Sequence, residues 1–118
     1  PHLVPPAGAR QTPGGAGGGG DSVYSSAQLM SDLEIAAIAA HYTRQLEAVG
    51  WTRHAEGQDG PLAWSTWTFQ DDDGQNWQGW FFALRTSDQP GKYMLQVHAQ
   101  WTDAGGGMPG PVGMAWSI

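Results

Sequence analysis

An apolar stripe with helical spacing is the feature of this sequence that most restricts its fold. Ser31 followed by Glu34 has the form of a capping box, and Gly50 suits the left-handed position after a last helical turn. The pattern therefore predicts one long amphipathic helix over residues 32–49, packed on another layer by its apolar side. The members of the stripe are Ile35, Ile38, Ala39, Tyr42, Leu46 and Val49.

The sequence after this helix has the features of β-strands and turns. Runs rich in Trp, Thr and Phe are separated by Gly, Asp and Pro, as in the turn sequence Asp71-Asp72-Asp73-Gly74. A weaker alternation precedes the helix. We predict strands over residues 22–30, 51–56, 62–70, 77–86 and 92–102. The predicted fold class is α+β, with one long amphipathic helix packed on a four- to five-stranded, mainly antiparallel sheet.

The chain of 118 residues is of a size typical of one domain. Residues 1–21 are rich in Pro and Gly and are expected to form a lead-in or linker. Residues 22–102 are expected to form the α+β domain, and residues 103–118 a Gly/Pro-rich C-terminal tail. Because the sequence starts at Pro1 without a methionine or a signal-peptide pattern, we expect it to be a piece of a longer precursor.

The charge of the chain argues against two classes of partner. The net charge is −6 at pH 7, and the five Lys and Arg residues do not cluster. Nucleic acids and anionic membrane surfaces are bound by several cations on one face, so neither is expected as a partner. No stretch of about 20 apolar residues is present, so no transmembrane segment is expected.

The sequence offers no recognisable catalytic or metal-binding motif. Gly15, Gly17 and Gly20 match a dinucleotide-binding spacing, but Pro/Gly-rich sequence precedes them where a strand is required. The acidic turn lacks the spacing of a calcium loop, and the four histidines show no metal-ligand spacing. There is no cysteine and no nucleophile elbow. We therefore expect no enzymatic activity, no cofactor and no metal.

The seven tryptophans are the most unusual feature of the composition. Large rings fill a small core well, and alternation in the last strand directs Tyr93, Leu95 and Val97 towards the helix. In the preceding strand we assign Trp80, Phe82 and Leu84 to the same side. This assignment leaves several aromatic and polar side chains facing away from the helix, and they form the predicted ligand-binding site: Trp67, Trp77, Phe81, Gln96 and His98.

Three explanations for such an outward aromatic face stay open. The termini of the chain cover it, a protein partner or a second copy packs on it, or it binds a carbohydrate. Sugar rings stack their C–H faces on aromatic side chains while amide groups such as that of Gln96 bind the hydroxyls at the edge. An exposed aromatic face is a binding surface in either of the last two cases.

Several segments resemble a known group of proteins. The order "PPAGAR", a Gly-rich break, "SVYSSAQL" and then "HYTRQLEAVGW" before Trp-rich hairpins resembles small bacterial cell-envelope domains of unknown function, many of them periplasmic or lipoprotein-like. The resemblance depends mainly on Tyr42, Leu46, Gly50 and Trp51, which are helix-packing and helix-ending positions. It implies a periplasmic, extracellular or cell-envelope location, and it carries no catalytic motif.

Together these observations predict a non-catalytic accessory or interaction domain of a secreted or cell-envelope protein. The alternative is a carbohydrate-binding module that uses an exposed aromatic face of the sheet. A protein partner, self-association and a polysaccharide are the partners under consideration.

Overall fold

The computed structural model describes residues 3–18, 21–86 and 90–102. Within these ranges six strands form one antiparallel sheet, and one helix lies across it. Across the sheet the strands follow the order β1-β2-β6-β5-β4-β3. The elements are β1 (Arg10–Gly18), β2 (Ser22–Met30), α1 (Ile35–Ala48), β3 (Thr52–Asp59), β4 (Leu62–Gln70), β5 (Asn76–Arg85) and β6 (Lys92–Trp101).

The predicted fold class is wrong in both of its parts. The described residues form a mainly β fold of six strands, whereas an α+β fold with a four- to five-stranded sheet was expected. The helix is also short, with 14 residues in place of the long helix predicted over 32–49. The additional strand, β1, comes from the stretch expected to be a lead-in, and it pairs with β2 from Val23 to Met30.

The pairing of β1 explains how a Gly/Pro-rich sequence enters a sheet. Arg10 pairs with Met30 at one end and Gly18 with Val23 at the other, with an irregularity in register between Pro13 and Gly15. Proline lacks a backbone N–H and is accepted at edge strands and bulges, which is where Pro13 lies. The backbone N–H and C=O groups along the edge of β2 form hydrogen bonds with β1, so β1 can join the sheet without an alternation of apolar residues.

The two ends of α1 differ in how well the sequence indicates them. The predicted capping box is wrong, because the helix begins at Ile35 and the Ser31 hydroxyl accepts a hydrogen bond from the Leu33 N–H at 3.1 Å instead. The predicted ending is confirmed. Gly50 has a φ of +95°, and the Trp51 N–H donates to the Leu46 carbonyl at 3.1 Å. This is a Schellman ending, which turns Trp51 back onto the apolar side of the helix.

The core lies between α1 and one side of the sheet, which we call the covered face. Tyr42 of the helix stacks on Phe81 of β5 with ring centroids 5.5 Å apart, and Trp51 stacks on Phe69 of β4 at 4.2 Å. The buried helix residues are Ile35, Ile38, Tyr42, Thr43 and Leu46, so most of the predicted stripe is confirmed. Val49 is the exception and is 54% exposed.

The segment before β1 also packs on the covered face. Leu3 is buried in the core cluster, and the Val4 backbone exchanges two hydrogen bonds of 2.8 Å with the Gln45 side chain. This segment therefore lies beside α1. The domain boundaries expected at residues 21/22 and 102/103 stay predictions, and the expected tail over 103–118 lies outside the described residues.

Candidate functional site: the open face of the sheet

The side of the sheet turned away from α1 is the candidate functional site, and we call it the open face. Even-numbered residues of β2, β4, β5 and β6 point to it, because side chains alternate along a strand and paired residues share a face. The strand register places Tyr24, His98, Trp80 and Thr66 in one row across the sheet, and Ser26, Gln96, Phe82 and Trp64 in the next row.

The open face exposes several large apolar side chains, which is unusual for a sheet surface that faces only water. Met94 is 50% exposed, Tyr24 42% and Leu84 39%. Trp64, Trp80 and Phe82 are half-buried by their neighbours in the sheet. Within the residues that the structure describes, no helix lies on this side. A contiguous apolar and aromatic surface of this kind is typical of an interaction site.

Glycines in the flanking strands widen the aromatic surface. A Cβ atom placed on Gly57 would lie 2.6 Å from the Trp64 ring, and one placed on Gly17 would lie 2.8 Å from the Tyr24 ring. Both rings therefore lie close against glycine backbone in β3 and β1. Near the centre, Trp80 stacks on His98 with ring centroids 5.2 Å apart and planes inclined by 25°. Together the rings of Tyr24, His98, Trp80 and Trp64 extend across the open face from β2 to β4.

Hydrogen bonding distinguishes the tryptophans of the two faces. On the covered face, the Trp67 indole N–H donates to the Ser65 hydroxyl at 2.7 Å, and the Trp77 indole N–H donates to the Asp71 carboxylate at 2.9 Å. Within the described part of the chain, the indole N–H groups of Trp64 and Trp80 donate to no protein acceptor. Buried tryptophans normally satisfy this donor, so the open-face pair keeps two donors available for a ligand.

The structure divides the predicted site residues between the two faces. Trp67, Trp77 and Phe81 lie on the covered face with exposures of 0%, 1% and 1%, so their predicted outward placement is wrong. Gln96 and His98 lie on the open face, as predicted. The prediction assigned the alternate residues of β5 to the wrong faces. Phe81 pairs with Val97, and both point to the helix, whereas Phe82 pairs with Gln96 and both lie on the open face.

Sequence reasoning missed four rings of the open face. They are Tyr24, Trp64, Trp80 and Phe82. The signal that identifies them is the length of the hairpin loops, because the loop between Gln70 and Asn76 determines which residues of β4 and β5 share a face.

Two other titratable side chains, those of Tyr42 and Asp71, stabilise the fold through hydrogen bonds. The Tyr42 hydroxyl donates to Gln11 Oε1 at 2.6 Å, and burial raises the pKa of Tyr42 far above its ordinary value of 10.0. Asp71 accepts hydrogen bonds of 2.9 Å from the backbone N–H groups of Asp73 and Gln75, in addition to the one from Trp77. Among the residues described, no group of three His, Asp or Glu side chains is arranged to hold a metal ion.

The comparisons with known proteins give one structural likeness. No family model matches the chain, and no curated protein matches it. Among solved structures, the chain is similar to LpqN, described as involved in cell envelope biogenesis of Mycobacterium tuberculosis, with 15% sequence identity and a TM-score of 0.51. The likeness covers 86% of this chain and 70% of LpqN. At this identity the likeness shows the fold alone.

No helix in the described ranges is long and apolar enough to cross a lipid bilayer.

Proposed function

We propose that this chain is a non-catalytic accessory domain of a secreted or cell-envelope protein and acts by contact through its open face. The observation that carries the proposal is the open face itself, where Tyr24, Leu84 and Met94 are exposed beside half-buried Trp64 and Trp80. Burying such a surface against a partner releases water from apolar area, which is the main favourable term in protein association.

The envelope assignment has two supports. The fold is similar to that of LpqN, which is described as involved in cell envelope biogenesis. The sequence also resembles small envelope domains at positions that end and pack the helix, such as Gly50 and Trp51. Both supports concern the fold and the compartment, so the partner has to be inferred from the surface.

The chemistry of the open face supports binding over catalysis. Its groups are aromatic rings, amides such as Gln96 and Gln100, and the imidazole of His98, which stacks on Trp80. Indole rings, phenyl rings and amides bind by stacking and hydrogen bonding and do not ionise in the ordinary pH range. General acid–base chemistry requires a positioned titratable pair, and His98 makes no hydrogen bond or ion pair with a carboxylate in the described part of the chain.

Sedimentation velocity tests the form of this proposal in which the partner is a second copy. We expect concentration-dependent association that Leu84→Asp abolishes, because a charge replaces an exposed apolar side chain of the open face. Val49→Asp is the matched control, because Val49 is similarly exposed but lies at the end of the helix. Equal association of the two variants would place the contact elsewhere.

A photo-crosslinking residue tests the form in which the partner is another protein. Placed at Met94 in the full-length protein within its own cells, it should give a discrete adduct. The same residue at Val49 should give none. Adducts of equal yield from both positions, or no adduct from Met94, would contradict a contact through the open face.

The second candidate function is carbohydrate binding, and the unused indole N–H groups favour it. A sugar ring stacked on Trp80 would find donors at Trp64 and Trp80 and amide groups at Gln96 and Gln100. Tryptophan fluorescence titrated with a panel of soluble polysaccharides tests this. Trp80→Ala should abolish the response, whereas Trp64→Phe should retain stacking and weaken binding by roughly threefold to tenfold, the worth of one hydrogen bond. Silence across the panel would exclude this candidate.

A further inference from the structure

The charged side chains of the open face lie at its borders. Within the described strands, the register places three Asp, Glu, Lys or Arg side chains on this face, namely Arg10, Asp59 and Lys92. The chain as a whole has 11 acidic residues and a net charge of −6. Two copies therefore repel each other over most of their surface, but not where the centres of their open faces meet.

Arg10 and Asp59 lie on opposite edges of the sheet. Arg10 is in β1 and pairs with Met30, whereas Asp59 is in β3 and pairs with Leu62. Both side chains are exposed, and neither forms an ion pair with any residue that the structure describes. The open face thus has a positive charge at one edge and a negative charge at the other.

A two-fold axis parallel to the strands brings these two edges together. The strand order β1-β2-β6-β5-β4-β3 has its midpoint between β6 and β5. When a second copy is turned about an axis at this midpoint, its open face meets the first with β1 over β3, β2 over β4 and β6 over β5. The rotation leaves positions along the strands unchanged, so each row of side chains faces the same row of the second copy.

Opposite charges then meet at both borders of the pair. Asp59 lies in the same row as Thr12, because the register connects these two residues through β2, β6, β5 and β4. Arg10 of the second copy is two residues beyond Thr12, a step of about 7 Å along the strand. A long arginine side chain spans this step, and the symmetry forms the contact twice.

The centre of the face is self-complementary in the same arrangement. Aligned sheets pack face to face about 10 Å apart, with their side chains interdigitated. Met94 of β6 faces Leu84 of the second copy, and both are exposed in the single chain. Trp64 of β4 faces Ser26 of the second copy, whose hydroxyl donates to the Gly15 carbonyl at 3.4 Å and can accept the indole N–H.

We propose that the open face packs on the open face of a second copy about this two-fold axis, with Arg10 of each copy beside Asp59 of the other. The inference rests on the contact function proposed above and names its partner. The exposed apolar rows supply the buried area, and the charges at the two edges determine the relative orientation of the copies.

Sedimentation velocity of charge-reversal variants tests this arrangement. We expect the parent to dimerise. Arg10→Glu and Asp59→Arg should each raise the dissociation constant of the dimer about tenfold or more, because attraction becomes repulsion at two symmetric contacts. The double variant Arg10→Glu/Asp59→Arg exchanges the two charges and should return the dissociation constant to within about threefold of the parent value.

Two controls separate this contact from an effect of net charge. Arg44→Glu makes the same change in charge on the exposed side of α1 and should leave the dissociation constant within about threefold of the parent value. Lys92→Gln removes a cation at the first position of β6, which lies beside the axis and meets no opposite charge, so it should not weaken the dimer. A loss of association in either control as large as that in Arg10→Glu would overturn the arrangement.

The remaining outcomes distinguish failure of this inference from failure of the proposed function. A parent that stays monomeric up to about 1 mM would overturn the second copy as partner. A Met94 adduct with a different protein would then leave the contact function intact. A dimer that Arg10→Glu does not weaken, or that the double variant does not restore while retaining the circular dichroism of the parent, would overturn this orientation of the two copies.

Discussion

Substitution of Gly79 by alanine is the sharpest test of how the core is packed. Gly79 lies in the centre of β5 on the covered face, directly beneath Trp51. A Cβ atom at this position would lie 2.5 Å from Trp51 Cζ3, closer than real contacts allow. The indole cannot retreat, because it is 6% exposed, stacks on Phe69 at 4.2 Å and meets Trp67 edge-on at 6.3 Å.

The expected cost follows from these contacts. Overpacking of a closed core typically costs about 1–3 kcal/mol. Replacing glycine by alanine also reduces the entropy of the unfolded chain, which favours folding by about 0.4–1 kcal/mol. We therefore expect Gly79→Ala to lower the free energy of unfolding by about 1–2 kcal/mol. At about 4 °C per kcal/mol for a domain of this size, the Tm should fall by about 4–8 °C.

Urea denaturation followed by tryptophan fluorescence measures the change, and two other glycines supply controls. At Gly15 of β1 a new Cβ would meet only Ser26 Oγ, at 3.8 Å, so Gly15→Ala should be neutral or slightly stabilising. At Gly57 it would meet the Trp64 ring at 2.6 Å, but that ring is half-buried on the open face and can move, so the cost should be intermediate. Equal stability of the Gly79→Ala and Gly15→Ala variants would refute the close packing of Trp51 on β5.

Three further predictions concern single side chains. Burial raises the pKa of Tyr42 in the folded state above the ordinary value of 10.0. The stability that the neutral Tyr42 side chain contributes is therefore complete below pH 10 and is lost as the pH rises above that value. Urea midpoints should fall above pH 10 in the parent protein and fall less in Tyr42→Phe. Asp71→Ala removes three hydrogen bonds and leaves the buried Trp77 indole N–H without an acceptor, so the free energy of unfolding should fall by about 1–3 kcal/mol in the same assay, and an unchanged value would contradict the hairpin-tip structure. Glu56→Gln breaks an exposed ion pair with Arg53 and should change stability by less than about 1 kcal/mol; a larger loss would indicate a role for this pair that its exposure does not suggest.

Features that depend on local chemistry could be predicted from the sequence. The ending of α1 requires a residue that accepts a positive φ, and Gly50 followed by an apolar Trp51 has that form. In β6 one face is apolar and the other is polar, with Leu95 and Val97 alternating with Gln96 and His98. Where the two faces differ in this way, alternation assigns them correctly.

Features that depend on long-range pairing could not be predicted from the same signals. Both faces of β5 are apolar, because Trp77 and Phe81 alternate with Trp80 and Phe82, and hydrophobicity then contains no information about which face meets the helix. The register of β5 with its neighbours β4 and β6 decides it. The strand β1 has no hydrophobic alternation, and it is held by backbone pairing with the edge of β2 and by the side-chain hydrogen bond between Gln11 and Tyr42.

The candidate site shows the consequence of that limit. An aromatic face bordered by Gln96 and His98 was predicted, and the structure has one, but its rings are Trp64, Trp80 and Phe82 in place of Trp67, Trp77 and Phe81.

Hydrogen exchange of the tryptophan side-chain N–H groups tests the central claim most directly, with each resonance assigned by a Trp→Phe variant. We predict that the indole N–H groups of Trp64 and Trp80 exchange rapidly in the isolated chain, because they face outwards and donate to no protein acceptor among the described residues. Those of Trp67 and Trp77, buried and bonded to Ser65 and Asp71, should exchange orders of magnitude more slowly. Protection of Trp64 and Trp80 equal to that of Trp67 would contradict an open aromatic face.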